Sequence, residues 1–418
     1  MLLLLFFLVV FDSHSLTLPT LPSNPVVRTI SPSSTVEIFG LVQSKIANGE
    51  IITSLCVGEP NYPPPLEVLQ ATSEAALVDR NTKYTTNAGT LSLRSAISTD
   101  LHSRKNLSYR PTDVLVTNGA KQACFMGVFA TVGAGDEVII PSPYYPSYPE
   151  MVKLCGGVPV FLETTKENNY LIEPDVLYRT LTEHPKVKLL IMCNPSNPTG
   201  TLHTKSHLTA IADVLSNHKS NKNVAVLSDE IYERLLFKPN SHVAFASIND
   251  DMNRRTMTVN GFSKSYSMTG YRLGYLACAS SELTKPASVV LGQTTGCASS
   301  ISQAAGIAAL ESVGEEWLEN NVQELKTQRD FVISELQQIP NVDFPTPDGT
   351  FYIFPDFSYY TKGDDVQFCI DLLEEKGIAL VPGSGFGRQG AIRISFAATL
   401  GVLEVAMQGL REFCANRA

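Results

Sequence analysis

The chain lacks the positive charge that nucleic-acid binding requires. Its 32 Lys and Arg residues are outnumbered by 41 Asp and Glu residues, which gives a formal net charge of −9 and a pI near 5.4. No dense run of Lys and Arg interrupts this acidic background. We therefore expect no nucleic-acid partner, although a few cations in a cleft can still bind an anionic small molecule.

The cysteines show no pairing pattern. All eight are scattered, no Cys-x-x-Cys pair occurs, and several lie inside apolar runs, such as Cys193 after Leu-Leu-Ile-Met. Such cysteines are typical of small buried side chains in a reducing compartment. The sequence thus predicts neither a disulfide framework nor a metal site.

No apolar run is long enough to span a bilayer, but the N-terminus resembles a targeting segment. Met1 to Phe11 is almost wholly apolar, and Leu16 to Thr35 contains no acidic residue. We interpret residues 1–24 as a leader in two parts, a signal peptide followed by a transit segment, of the kind used for import into a plastid. Secretion and a cytoplasmic location are the alternatives. No membrane association is expected after leader removal.

Apolar strands without polar alternation, separated by helical segments, predict an α/β fold with a mostly parallel sheet. From about Gly314 the pattern changes to a long charged helix and short strands, which indicates a smaller α+β domain. We expect residues 25–60 to pack with that small domain, 61–312 to form the large domain and 313–418 the small one. Strands are predicted at 51–57, 114–117, 137–141, 158–162, 187–193, 224–228, 257–260, 273–277, 349–354, 378–382 and 391–396, and helices at 34–48, 120–132, from 145, from 205, and at 315–338.

Lys264 follows an apolar run and a glycine, and small residues surround it, among them Ser263 and Ser265. Arg272, eight positions further on, supplies a fixed cation for an anionic group. A lysine that forms a Schiff base with a phosphorylated aldehyde needs this setting. An ordinary loop lysine before a strand is the alternative.

Other polar residues follow predicted strands, where ligands bind in open α/β sheets. Gly119, Ala120 and Lys121 open a helix whose first N–H groups suit a phosphate, unless they form only a turn. Asn197 lies in a turn made rigid by two X-Pro steps. Its amide is predicted to reach a phenolic oxygen.

Asp229 ends another predicted strand, where its carboxylate suits a protonated pyridine nitrogen; a helix N-cap is the alternative. Tyr232 is predicted to donate to the same phenolic oxygen as Asn197. Tyr145 stacks on the ring in this interpretation, or packs in the core. Arg393, inside an apolar strand, needs an anionic partner, either a substrate carboxylate or an internal salt bridge.

In these motifs the chain resembles the class I pyridoxal-phosphate-dependent aminotransferases of fold type I, over nearly its whole length after about residue 25. Within the family it looks most like the prokaryotic-type and plastid aspartate/prephenate aminotransferases. The motifs that carry the resemblance occur in the family's order: Gly58-Glu59-Pro60, Tyr84 to Gly89, Asn118 to Lys121, Asn197 to Gly200, Asp229-x-x-Tyr232, Ser263-Lys264, Arg272 and Arg393.

The resemblance implies a role for each of these residues. Lys264 is expected to hold pyridoxal phosphate covalently and then to move the substrate proton. Asp229 pairs with the ring nitrogen, Asn197 and Tyr232 bind the phenolic oxygen, and Arg272 with the 119–121 turn binds the phosphate. The cofactor-binding set thus comprises Tyr84, Gly119, Ala120, Lys121, Tyr145, Asn197, Asp229, Tyr232, Ser263, Lys264 and Arg272; the substrate-binding set comprises Gly58, Tyr145, Asn197 and Arg393.

Tyr84 is expected to reach the phosphate of a neighbouring subunit, which implies a homodimer with shared active sites. Two positions depart from the family pattern, because Tyr145 and Tyr271 stand where tryptophan is common. Stacking on the ring is therefore expected to survive in weaker form.

The predicted function is ping-pong transamination between an amino acid, aspartate or glutamate being favoured, and a 2-oxo acid such as 2-oxoglutarate or oxaloacetate. Prephenate is a further candidate acceptor. The near alternative is an aminotransferase for alanine, aromatic amino acids or kynurenine. A pyridoxal-phosphate lyase of the aminocyclopropane-carboxylate synthase type fits Met268 to Arg272 less well.

Overall fold

The computed structural model describes residues 24–31 and 34–417, and the predicted leader therefore lies almost wholly outside the described residues. Its strands are Thr53–Ser54 (β1), Val114–Thr117 (β2), Glu137–Ser142 (β3), Val158–Glu163 (β4), Val187–Cys193 (β5), Ala225–Asp229 (β6), Thr256–Gly261 (β7), Gly274–Ala277 (β8), Tyr352–Ile353 (β9), Ile378–Ala379 (β10), Val381–Pro382 (β11) and Ile392–Ser395 (β12).

The α-helices outnumber the strands and flank them along the chain. They are Ser34–Ala47 (α1), Leu66–Leu77 (α2), Leu91–Lys105 (α3), Ala120–Thr131 (α4), Ser147–Leu154 (α5), Pro174–Glu183 (α6), Lys205–Asn217 (α7), Asp250–Arg255 (α8), Ser281–Thr294 (α9), Ser300–Glu311 (α10), Glu315–Leu336 (α11), Ser358–Thr361 (α12), Asp365–Lys376 (α13) and Leu400–Ala415 (α14). Within the described part of the chain, none of them is both long and apolar enough to cross a membrane.

Seven strands form the main sheet in the order β2-β8-β7-β6-β5-β3-β4. β8 pairs antiparallel with both of its neighbours, whereas the other adjacent pairs run parallel. The central strands β6 and β7 are buried at every position, because helices cover both faces of the sheet. This arrangement confirms the predicted α/β fold with a mostly parallel sheet.

The helix α4 lies on the face of the sheet that carries the site. It packs against β6, β7 and β8, and Gly127 permits close contact because a Cβ there would lie 2.7 Å from Leu227 Cδ1. On the same face, buried Met126, Leu227 and Leu276 belong to one apolar cluster. α4 is thereby held with its N-terminus at the carboxyl ends of the strands.

A smaller α+β unit is built from the C-terminal residues. β9, β11 and β12 form an antiparallel sheet that packs with α11, α13 and α14. The N-terminal segment joins it, because β1 pairs parallel with β10 and the Leu55 N–H donates to Ala379 O at 2.9 Å. The predicted domain boundaries at 60/61 and 312/313 remain a prediction.

Several predicted elements differ in extent from those observed. The strand expected at 51–57 is reduced to β1, and the one expected at 378–382 is split between β10 and β11, which pair with different partners. The helix expected from Tyr145 begins at Ser147 instead. Proline at position 146 disfavours helical backbone at the residue before it, and this excludes Tyr145 from the helix.

Candidate active site

One cavity of about 370 Å³ opens at the carboxyl ends of the parallel strands. Eleven of the predicted site residues line it: Gly58, Ala120, Lys121, Tyr145, Asn197, Asp229, Tyr232, Ser263, Lys264, Arg272 and Arg393. They come from the ends of several strands of the main sheet, from β12 and from the N-terminal segment. Chain folding therefore brings together residues that are up to 335 positions apart in the sequence (Arg393 minus Gly58).

Lys264 lies in the turn that follows β7, between buried Ser263 and Ser265. Its amine donates to Gly58 O at 2.5 Å and forms no ion pair with any carboxylate of the described residues. Burial lowers the pKa of Lys264 from its usual 10.5 to about 8, because desolvation penalises the ammonium more than nearby Glu59 favours it. A substantial fraction of the amine is then neutral and nucleophilic near neutral pH.

Asp229 ends β6 with its carboxylate directed into the cavity. Oδ2 accepts hydrogen bonds from the Tyr148 hydroxyl at 2.7 Å and the Cys124 thiol at 3.5 Å, and Oδ1 accepts from the Ile231 N–H at 3.2 Å. Burial raises the pKa of Asp229, and these three donors oppose that shift. A protonated ring nitrogen beside the carboxylate would stabilise its charged form. No helix follows Asp229, so the helix N-cap alternative is wrong.

Arg272 and the start of α4 line the same cavity. A Cβ at Gly119, where φ is +83°, would lie 2.5 Å from Nη2 of Arg272, so only glycine permits this approach. The guanidinium donates to Thr269 O at 2.9 Å and to Asn118 O at 3.4 Å. The first N–H groups of a helix have no partner within the helix. Together with the guanidinium they suit a phosphate group.

The cavity lining also includes groups suited to a planar ring. Tyr145 is half-buried and packs edge to face against Tyr148, with ring centroids 5.4 Å apart. The buried Tyr232 hydroxyl lies 3.1 Å from the Tyr352 hydroxyl. Asn197 is buried as well, and its Oδ1 accepts a hydrogen bond from Arg393 at 3.3 Å. Tyr145 would offer an aromatic face to a ring bound at Lys264, and Asn197 and Tyr232 would offer polar groups to its edge.

Arg393 is a buried cation without an anionic partner. It is 3% exposed on β12, and its guanidinium donates to Cys56 O at 2.7 Å and to Asn197 Oδ1 at 3.3 Å. The rings of Tyr352 and Phe386 flank it, and Nε has no hydrogen-bond partner. Among the described residues it forms no ion pair, so the internal salt-bridge alternative is wrong. A buried guanidinium of this kind calls for an anion from outside the chain.

Two predicted site residues lie outside the cavity lining. Gly119 acts only through its contact with Arg272, as described above. Tyr84 is 97% exposed and contacts nothing in the cavity of its own chain. The roles assigned to individual residues remain predictions, since the geometry gives their positions and not their chemistry.

Sequence reasoning missed Tyr148, Cys124 and Tyr352. The first two donate to Asp229, and Tyr352 lies against both Tyr232 and Arg393. Tyr148 and Cys124 are on α5 and α4, where apolar neighbours indicate core packing. Their polar atoms reach the site only through the way the two helices cross the sheet.

The residues of this cavity fit pyridoxal phosphate. Lys264, whose pKa is lowered, lines the same cavity as the buried Asp229 carboxylate and as Arg272 with the N-terminus of α4. Gly119 leaves open the space that the Arg272 guanidinium occupies. This set of groups matches the aldehyde, the ring nitrogen and the phosphate of one planar molecule.

Comparison with known proteins agrees with this chemistry. The family model for aminotransferase class I and II matches residues 50–410, and the chain belongs to that family. It is 41% identical over 403 residues to an aspartate aminotransferase of Pinus pinaster, covering 93% of this chain and 80% of the relative. It is 39% identical over 400 residues to a bifunctional aspartate aminotransferase and glutamate/aspartate-prephenate aminotransferase of Petunia hybrida, covering 93% of this chain and 82% of the relative.

Solved structures extend the same comparison. The aspartate aminotransferase of Thermus thermophilus with maleate superposes with a TM-score of 0.88 at 33% identity, over 94% of this chain and 100% of that one. The protein is therefore an enzyme, a pyridoxal-phosphate-dependent transaminase, and its substrates are small amino acids and 2-oxo acids.

Proposed function

We propose that this enzyme transfers the amino group of aspartate or glutamate to a 2-oxo acid, 2-oxoglutarate or oxaloacetate, in two half-reactions of a ping-pong cycle. Prephenate is a further acceptor in this proposal. The observation that carries it is Arg393, a buried guanidinium that lines the cavity, has no anionic partner among the described residues and leaves one nitrogen without a hydrogen bond. A substrate α-carboxylate supplies the missing anion in a bidentate pair.

The chain's own residues then divide the work. Arg393 and the Gly58 main chain hold the α-carboxylate and thereby fix the α-carbon near Lys264. The Lys264 amine, with its pKa lowered to about 8, accepts the proton from the substrate α-carbon and returns it to the cofactor side. Bound pyridoxal phosphate supplies an electron sink for the bond that loses this proton. Asp229 holds its charge toward the ring nitrogen, while Asn197 and Tyr232 orient the ring through its phenolic oxygen.

A second cation supports a dicarboxylic substrate. Arg393, Arg272 and Lys264 each have a proposed partner, which leaves Lys121 among the cations that line the cavity. Lys121 lies in the first turn of α4 with its side chain exposed to the opening. The Thermus thermophilus relative was solved with maleate, itself a dicarboxylate. We propose that the Lys121 side chain attracts the distal carboxylate, while its main-chain N–H faces the phosphate.

A half-reaction screen tests the substrate proposal. Single amino acids are added to the loaded enzyme without an acceptor, and the visible absorbance of the bound cofactor is followed. Aspartate and glutamate are expected to bleach it rapidly, and 2-oxoglutarate to restore it. Loss of one exposed ion pair costs up to about 1 kcal/mol. Lys121→Met is therefore expected to slow the half-reaction with aspartate by about fivefold and to leave the rate with alanine unchanged.

The control for this screen is Lys285→Met, which removes an exposed lysine on α9 away from the cavity. Bleaching by alanine or aromatic donors alone would retain the transaminase and refute the dicarboxylate proposal. Irreversible loss of the absorbance, with release of a fragment of the donor, would favour the lyase alternative.

We further propose a homodimer with shared active sites. Tyr84 supports it, because this tyrosine is 97% exposed and does not line the cavity of its own chain, so its side chain is available to a neighbouring subunit. Mass measurement in solution tests the assembly, and a monomer with full activity would refute it.

For the leader, we propose import into a plastid, because its first part is apolar and its second part contains no acidic residue. A fluorescent fusion of residues 1–35 that stays in the cytoplasm would refute this.

A further inference from the structure

The turn from Asp229 to Glu233 presents its residues in two opposite directions. Asp229 and Tyr232 line the cavity, whereas Glu230 and Glu233 point away from it into a buried polar cluster. Glu230 is 0% exposed and Glu233 is 6% exposed. Two buried carboxylates only three residues apart require nearby cations, since an unpaired buried charge is strongly unfavourable.

Lys105 supplies the nearest cation. It is the last residue of α3, its side chain is 3% exposed, and its ammonium lies 2.7 Å from Glu230 Oε2 and in contact with Glu233 Oε2. Arg104 adds a second cation, with Nη2 at 3.0 Å from Glu233 Oε1. Burial alone would raise the pKa of Glu233, but these cations hold it well below its usual range. Glu233 is therefore ionised in the folded enzyme.

The cluster is fixed on its remaining sides as well. Glu230 Oε1 accepts from the Ser228 hydroxyl at 2.9 Å and from the Phe245 N–H at 3.3 Å. The Glu230 N–H donates to Val259 O at 2.9 Å, which ties the turn to β7. Both strands that carry catalytic groups, β6 and β7, thus meet at Glu230. The turn has little freedom to move unless these contacts break.

A metal ion is the other cation that this cluster suggests. Glu230, Glu233 and His242 lie close enough together to be ligands. The Lys105 ammonium, however, already contacts both carboxylates and so takes the position between them. A divalent ion there would stand beside a fixed positive charge. The cation of this cluster is part of the chain itself.

We propose that Lys105 is a positioning residue for the cofactor, acting through Glu230 and Glu233 on Asp229 and Tyr232. It touches neither the cavity nor any group in it. By fixing the outward-facing side of the turn, it sets the direction in which the Asp229 carboxylate meets the ring nitrogen. This inference rests on the site assignments under the proposed function, but it does not depend on which amino acid is the donor.

The test compares Lys105→Met with the wild-type enzyme in three measurements. These are the dissociation constant of the cofactor, the visible spectrum of the loaded enzyme, and the separate values of kcat and KM. Misplacement of a reacting group by a remote change reduces function by up to about 100-fold. We expect the cofactor dissociation constant to rise and kcat to fall between about 10- and 100-fold, with an altered spectrum and a KM that changes less than about threefold.

The matched control is Lys45→Met. Lys45 also binds two glutamates, Glu50 at 3.1 Å and Glu374 at 3.0 Å, but it lies on α1 and touches no residue of the turn. If Lys105→Met lowered the melting temperature while its cofactor affinity, spectrum and kcat stayed within twofold of wild type, the positioning role would be refuted.

A second variant decides the matter if Lys105→Met does not fold. Glu233→Gln keeps the side-chain volume and removes one of the two carboxylate charges that Lys105 binds, a charge that Arg104 binds as well. It is expected to weaken cofactor binding in the same direction, and unchanged binding would refute the proposal. Where both variants fold, the double variant should lose less cofactor-binding free energy than the sum of the losses in the two single variants, because the two groups act as one unit. Failure of the substrate proposal would show in the donor screen and leave cofactor binding by the wild type intact.

Discussion

Lys264→Ala is expected to reduce transamination by about 10⁴-fold or more, because the change removes both the covalent attachment of the cofactor and the base that moves the α-proton. Folding should be preserved, since the amine donates to Gly58 O, lies over the Phe351 ring and fills space at the wall of an open cavity. Pyridoxal phosphate is still expected to bind through the contacts at its two ends. The measurement is steady-state turnover together with borohydride trapping and peptide mass analysis.

The control is Lys285→Ala, which removes an exposed lysine on α9 and should leave turnover unchanged. Trapping also has an expected pH dependence in the wild type. The pKa of Lys264 is lowered to about 8, so the neutral amine becomes the major form above pH 8 and not above its usual 10.5. When the cofactor is added briefly to the apoenzyme, in which this amine is free, the yield of trapped cofactor at position 264 should therefore rise through pH 8. Full turnover by Lys264→Ala, or trapping at another lysine, would contradict the assignment.

The large sheet was predictable because most of its strands are largely buried. Val187–Cys193 and Val114–Thr117 match their predicted bounds, since each is mostly apolar and is flanked by polar residues. The short strands of the C-terminal unit were less predictable. β9 and β10 have two residues each, and their length depends on which neighbour the chain meets after folding. No local pattern encodes that partner.

The site was predictable where its chemistry follows a strand directly. Asp229, Asn197 and Lys264 stand at or just after β6, β5 and β7, so the parallel sheet brings them together. The groups that support them were not. A lysine at the end of α3 is the usual complement to the helix dipole on a surface, and nothing local indicates that Lys105 is buried. That fact depends on how the 229–233 turn packs against α3.

Arg393 substitutions are expected to have the other large effect, and they act on substrate rather than cofactor. Removal of one member of a buried ion pair costs about 3–5 kcal/mol. Arg393→Ala, which removes the cation that would pair with the substrate carboxylate, should therefore lower kcat/KM by about 10²- to 10⁴-fold. Arg393→Lys keeps the charge but cannot form the two parallel hydrogen bonds of a guanidinium with a carboxylate. It should therefore restore only part of the loss. Cofactor affinity should stay close to wild type in both variants.

The comparison that isolates this role uses donors with and without an α-carboxylate. An amine that lacks the α-carboxylate forms no ion pair with Arg393. Its half-reaction, which is slow, should therefore be equally slow in the wild type and in Arg393→Ala. Arg411→Ala on α14 is the matched control, because it removes an arginine bound to Glu335 at 2.8 Å far from the cavity. Equal losses for both kinds of donor would mean that Arg393 supports the cavity through Asn197 and Tyr352 and does not bind substrate.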